Sequence, residues 1–178
     1  YLYCSHNDLE QLDVKNSKWL KELDCSKNNR LTALDLDVAH KPNLVRVECQ
    51  DNQLTSLILG ENKGLEKLNC ANNQLTQLNL SENKMLRKLN CANNQLTQLN
   101  LNNMISLTEL NCANNQLTVL DVSSSPNLTK LVLKNNHLTS LNLDNNPNLD
   151  FTYTDFYNSD FNNVYTVTLN PDRTFDLS

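Results

Sequence analysis

Six cysteines recur along this 178-residue chain at an almost constant spacing. Four of the five gaps between successive cysteines are 21 residues, and the remaining gap is 24. An even number of thiols could form disulfides, although metal binding is disfavoured because paired Cys-x-x-Cys spacing and histidine partners are lacking. We favour buried free thiols, which act as small apolar side chains. The six positions are Cys4, Cys25, Cys49, Cys70, Cys91 and Cys112.

The other residue types give no pattern for catalysis. His6, His40 and His137 share no repeat position, and Gly60 and Gly64 cannot build a phosphate-binding loop. A net charge of −5 argues against a nucleic-acid partner. Moreover, no apolar run approaches the roughly 20 residues of a membrane-spanning helix. The sequence therefore predicts a non-enzymatic chain with no cofactor, no metal site and no membrane span.

A repeating unit must position the cysteines. The best-formed unit runs from Leu65 to Asn83, and its second half repeats the apolar pattern of its first half ten residues later. Apolar residues at a spacing of two, such as Leu68 with Cys70, indicate extended chain, whereas an amphipathic helix would place them at i, i+3, i+4 and i+7. Each unit should thus have a strand on one side and a second strand or extended segment on the other. Such units bury their apolar sides by stacking.

The frame Leu-x-x-Leu-x-Cys-x-x-Asn-x-Leu resembles the leucine-rich repeat family, and its length is similar to that of the short 21-residue bacterial class. The resemblance implies a mainly β solenoid with a parallel sheet on one face, short strands or extended segments on the other, and gentle curvature. We expect about seven repeats in residues 1–148, in a fragment that begins within a repeat. Residues 149–178 should form a degenerate last repeat and a C-terminal β cap, with a strand in Val164–Leu169.

An asparagine follows each strand where the chain turns. A buried carboxamide can donate and accept hydrogen bonds, so this column should satisfy backbone groups in the turns. Its members are Asn28, Asn52, Asn73, Asn94, Asn115 and Asn136.

The outward positions of the first strand form the most informative surface. A basic run there contains Arg46, Lys67, Arg87 and Lys88, and nearby glutamates such as Glu48 should offset its repulsion. Aromatic residues at the C-terminal end of this face could either bind a partner or shield the last apolar layer. The candidate binding residues are Arg46, Glu48, Lys67, Asn69, Arg87, Lys88, Asn90, Glu109, Asn111, Lys130, Val132, Phe151 and Tyr153.

The family resemblance implies a scaffold that binds an unidentified protein partner through its concave parallel-strand face. Bacterial members of the family act in adhesion, virulence and host interaction, so the partner could be a host protein and the location the cell surface or the exterior. A cytoplasmic location stays open. Two alternatives are a carbohydrate-binding module that uses the exposed asparagines and terminal tyrosines, and a structural spacer with no ligand of its own.

Overall fold

Short β-strands are the regular elements of this protein. The computed structural model describes residues 1–37, 43–139 and 141–150, together with the backbone of residues 167–168. The strands in these ranges are β1 (Leu2–Tyr3), β2 (Glu22–Asp24), β3 (Ala33–Asp35), β4 (Arg46–Glu48), β5 (Ser56–Ile58), β6 (Lys67–Asn69), β7 (Lys88–Asn90), β8 (Glu109–Asn111), β9 (Lys130–Val132), β10 (Leu141–Asn142) and β11 (Val167–Thr168).

Seven of these strands form one parallel sheet in the order β1-β2-β4-β6-β7-β8-β9. Equivalent residues of successive repeats lie opposite one another, as Leu68 of β6 does with Leu89 of β7. The other side of the units holds a parallel pair, β3 with β5, and otherwise consists mostly of turns and chain without regular secondary structure. There, β11, within the predicted Val164–Leu169 strand, pairs with β10. The predicted β solenoid is confirmed.

Stacked apolar columns form the core of the solenoid. The central residues of the sheet strands from Leu23 in β2 to Leu131 in β9 all point inward and are buried. The cysteines from Cys25 to Cys112 are fully buried in the next inward column, which Leu133 continues. Each buried leucine contributes about 1.5–3 kcal/mol, so stability is distributed along the array.

The asparagine column connects adjacent repeats through backbone hydrogen bonds, as the sequence predicts. Asn73 shows the pattern: its Nδ2 donates to the carbonyls of Cys49 and Cys70, both at 3.0 Å, and its Oδ1 accepts from the Leu54 amide at 2.9 Å. Asn52 is an exception, because its Oδ1 accepts from the Asn28 amide instead. The extra residues after Asn28 form a turn in which the Leu31 amide donates to the Asn28 carbonyl at 2.9 Å. This amide is therefore not available to Asn52 Oδ1.

A second column adopts the left-handed backbone conformation just after the cysteines. Its φ angles lie between 55° and 58° at all seven described positions, a region that asparagine tolerates better than most residues. Carboxamides in this column also bond to one another, as Asn93 Nδ2 does to Asn72 Oδ1 at 2.7 Å. The column contains His6, Lys27, Asp51, Asn72, Asn93, Asn114 and Asn135.

Replacing Lys27 by asparagine should stabilise the protein. Lys27 has a φ of 55° and cannot bond locally as the asparagines do, so Lys27→Asn should relieve about 1 kcal/mol of strain. The melting temperature should rise by about 2–4 °C. Thermal unfolding of this variant beside Lys21→Asn, an exposed lysine with ordinary backbone, measures the effect. Equal shifts in both variants would show that the left-handed conformation at Lys27 carries no strain.

Candidate binding face

We define the strand face as the outward side chains of the seven-stranded sheet. They form two columns because every pair of neighbouring strands is in register. One column contains Glu22, Arg46, Lys67, Lys88, Glu109 and Lys130. The other contains Tyr3, Asp24, Glu48, Asn69, Asn90, Asn111 and Val132.

The structure brings most of the predicted binding residues together on this face. Arg87 lies directly before β7, beside the two columns. Phe151 and Tyr153 lie outside the described residues, so the choice between binding and capping stays open for them. An open groove of about 270 Å³ runs over the face from Glu48 of β4 to Val132 of β9. That these residues bind a partner remains a prediction.

Three carboxamides in the groove have a fixed orientation. The Oδ1 atoms of Asn69, Asn90 and Asn111 accept hydrogen bonds at 3.2–3.3 Å from the backbone amide two residues further on. An N–H donor can bond only to the oxygen of a carboxamide, so the Nδ2 group must point the other way. Within the described part of the chain, none of these Nδ2 groups has a hydrogen-bond partner. The groove thus presents a row of amide donors.

Ion pairs divide the basic residues of this region into two groups. Arg46 Nε lies 2.9 Å from Glu48 Oε1, and Lys88 Nζ lies 2.5 Å from Glu109 Oε1. The hydrogen bond to Glu48 raises the pKa of Arg46 above its usual value. Arg87 similarly faces Glu66 at 3.8 Å, so these glutamates offset the basic run as expected. Among the described residues, by contrast, Lys67 and Lys130 form no ion pair.

Small side chains next to the carboxamides are a feature that sequence reasoning missed. Ala71, Ala92 and Ala113 are buried, form a separate apolar cluster and pack against Val132. The repeated Cys-Ala-Asn-Asn segment was the available signal, because a small residue recurs directly after the inward cysteine. The alanine column therefore continues the packed layer beside the strand face up to Val132.

Aromatic residues occupy the N-terminal end of the protein. Tyr1 and Tyr3 are 70% and 64% exposed, and their ring centroids are 6.2 Å apart. The Tyr3 hydroxyl lies 3.0 Å from Glu22 Oε2, which ties it to the acidic end of the strand face. Trp19, which sequence reasoning also missed, is 80% exposed in the turn before Leu20 and lies off the face.

The cysteines contribute to the core and not to the face. All six are free, which agrees with the predicted thiol stack. Burial raises the pKa of Cys25, Cys70 and Cys112 to about 12, and it raises the pKa of Cys49 and Cys91 well above the usual value. Such thiols are poor nucleophiles because the thiolate is the reactive form. In the described ranges, no cluster of His, Cys, Asp or Glu could hold a metal ion.

A parallel solenoid with leucine, cysteine and asparagine columns defines a class of repeat protein. The fold is a leucine-rich-repeat solenoid with short 21-residue repeats, and the general Leucine Rich Repeat family model matches residues 106–128. The fold of this class serves as a non-enzymatic interaction scaffold.

Solved structures from Listeria monocytogenes resemble this chain. The functional domain of InlJ, described as including a cysteine ladder, is 36% identical with a TM-score of 0.82. The match covers 87% of this chain but only 34% of the InlJ chain, so this protein spans about a third of that relative. Internalin C2 is 20% identical over 83% of this chain and 80% of its own, with a TM-score of 0.49. A comparison with curated proteins gave no match. Within the described residues, no helix has the length and apolar character needed to cross a membrane.

Proposed function

We propose that this chain is a protein-interaction module that binds its partner through the strand face. The observation that carries the proposal is the open groove, which is lined by charged and amide side chains on in-register strands. Because these strands are short and their inward residues are fully packed, the side chains are presented from a rigid base. Little conformational entropy is then lost on binding.

The module belongs, we propose, to a bacterial surface or secreted protein with a role in adhesion or host interaction. Support comes from the InlJ domain, to which this chain is similar at 36% identity, and from the matching column of stacked cysteines. The partner would then be a protein outside the bacterial cell, with a host protein as the leading candidate.

Reversing two charges in the groove tests this function. Lys67→Glu combined with Lys88→Glu should weaken partner binding by about tenfold or more. Reversing a charge at the centre of an interface turns a favourable electrostatic contact into a repulsive one. The immobilised parent and variant chains would be exposed to extracellular proteins from host cells, and the bound proteins would be quantified by mass spectrometry. Melting curves would establish that both chains are folded.

A matched control changes the same number of charges away from the face. Lys18 and Lys63 are exposed residues in turns, so Lys18→Glu with Lys63→Glu should leave capture unchanged. If both double variants capture the same proteins in the same amounts as the parent chain, the result would indicate a spacer without a ligand of its own. Capture that disappears after enzymatic removal of glycans from the extract would instead favour the carbohydrate-binding alternative.

A further inference from the structure

We propose that the strand face recognises a short acidic segment of its protein partner. The carboxylates of that segment would accept hydrogen bonds from the Nδ2 groups of Asn69, Asn90 and Asn111 and form ion pairs with Lys67 and Lys130. This inference rests on the proposed function above and adds the chemistry of the partner.

The carboxamide row carries the first part of the argument. The Oδ1 atom of each carboxamide already accepts a hydrogen bond from a backbone amide. The Nδ2 donors face the groove and have no partner in the described part of the chain. Asn69, Asn90 and Asn111 are in register on β6, β7 and β8, so their donors repeat about every 4.8 Å. A ligand that satisfies this row must present acceptors, and a carboxylate provides two acceptor oxygens with no competing donor.

The charges on the face carry the second part. Strands β6 to β9 present three lysines against one glutamate, and that glutamate already pairs with Lys88. Strands β2 and β4 present three carboxylates against one arginine, so the sign of the face reverses towards its N-terminal end. An acidic segment would therefore be attracted to β6–β9 and repelled from β2.

The length of the basic region limits the size of the segment. Four adjacent strands span about 14 Å between the first and the last, which an extended peptide covers with four or five residues. We therefore expect a short acidic motif and not a long polyanion.

A neutral sugar fits this region less well. Sugar hydroxyls both donate and accept, whereas each carboxamide oxygen here already accepts one backbone hydrogen bond and so offers a hydroxyl donor less than the unpaired Nδ2 group offers an acceptor. In addition, the described outward residues of β6–β9 include no aromatic ring on which a sugar could stack.

The chain itself supplies a conservative test variant. Asp24 occupies the same column as the asparagines, and its Oδ1 accepts from the Ser26 amide at 3.0 Å. Asn69→Asp with Asn90→Asp should thus keep the local bond and the fold, while it replaces two donors with negative acceptors.

The opposite side of the solenoid offers an equivalent control. Asn79 and Asn100 are exposed there and make the same local bond, to the Ser81 and Asn102 amides at 3.0 and 2.9 Å. Asp35 and Asp121 make this bond in other repeats, so Asn79→Asp with Asn100→Asp is equally compatible with the fold. The control introduces the same charge at a site away from the groove.

Fluorescence polarisation with a labelled hexaglutamate peptide at low ionic strength tests the inference. The parent chain and the Asn79/Asn100 control should bind the peptide equally, and the Asn69/Asn90 variant should bind at least about tenfold more weakly. Hexaglutamine should not bind, and added salt should weaken the complex because exposed charges are screened.

Three results would overturn the inference. The first is equal binding of hexaglutamate by both double variants, and the second is equal binding of hexaglutamine and hexaglutamate. The third is binding of oligogalacturonate with no binding of hexaglutamate, which would make the ligand an anionic sugar. The parent chain could fail to bind hexaglutamate while the Lys67/Lys88 variant still captures less extracellular protein than the parent. In that case the proposed acidic segment is wrong, and the proposed interaction function stands.

Discussion

Raising the pH from 9 to 11 should unfold this protein. Burial raises the folded-state pKa of Cys25, Cys70 and Cys112 to about 12, from an ordinary value of 9.0, and raises that of Cys49 and Cys91 as well. Below pH 9 the thiols are protonated in both states, so their contribution to stability is fully present. Above pH 9 the unfolded chain releases protons that the folded chain retains, and stability falls as the pH approaches the folded-state pKa.

The size of this effect follows from the number of buried thiols. Each one should cost about 1.4 kcal/mol of unfolding free energy per pH unit above 9. Five such thiols together remove about 7 kcal/mol per pH unit, against a total stability of about 5–15 kcal/mol for an ordinary domain. The midpoint of alkaline unfolding should therefore lie near pH 10–11.

Denaturant titrations between pH 8 and 11, with reductant present, measure the slope. The control is Cys70→Ala with Cys91→Ala, which lowers stability at every pH but removes two ionisable groups. Its slope between pH 9 and 11 should be shallower by about 3 kcal/mol per pH unit. An identical slope in the double variant would mean that lysine or tyrosine deprotonation causes the alkaline unfolding.

The repeat geometry was predictable because it depends on spacing alone. A period of 21 residues, with inward positions separated by two, fixed which of Leu68, Asn69 and Cys70 face the core and which face solvent. The role of the asparagine column followed from the same periodicity, since a polar residue at every turn needs partners in the backbone. Spacing therefore predicted the columns of the solenoid and the position of the strand face.

The chemistry of the strand face depends on details that spacing does not contain. The sequence placed Lys67 and Lys88 in one basic run, but Glu109 pairs with Lys88 across adjacent strands and Lys67 has no ion pair in the described ranges. The direction of the Asn90 carboxamide depends on a bond to the Ala92 amide, which forms only when the chain turns after the strand. Which ion pairs and side-chain hydrogen bonds form depends on distances of a few ångströms within and between neighbouring repeats.

Replacing Asn94 by alanine should lower the melting temperature by about 10 °C, because one unit of the asparagine column is lost. Asn94 Nδ2 donates to the carbonyls of Cys70 and Cys91 at 3.0 and 3.1 Å, and Oδ1 accepts from the Leu75 amide at 3.0 Å. Asn73 and Asn115 also donate to these two carbonyls, so both carbonyls keep a partner in the variant. The Leu75 amide has no second acceptor among the described residues.

The buried Leu75 amide therefore dominates the expected loss. An unsatisfied buried donor costs about 1–3 kcal/mol, and the lost hydrogen bonds add about 1 kcal/mol each. With the two lost Nδ2 bonds the total is about 3–5 kcal/mol, which corresponds to the expected shift at about 2–4 °C per kcal/mol. Differential scanning calorimetry of Asn94→Ala beside Gln98→Ala, an exposed residue of the same repeat, measures it. Binding of hexaglutamate below the transition should be preserved, because Asn94 is buried in the turn after β7 and does not line the groove. A melting temperature equal to that of Gln98→Ala would show that the turn backbone satisfies itself without the asparagine column.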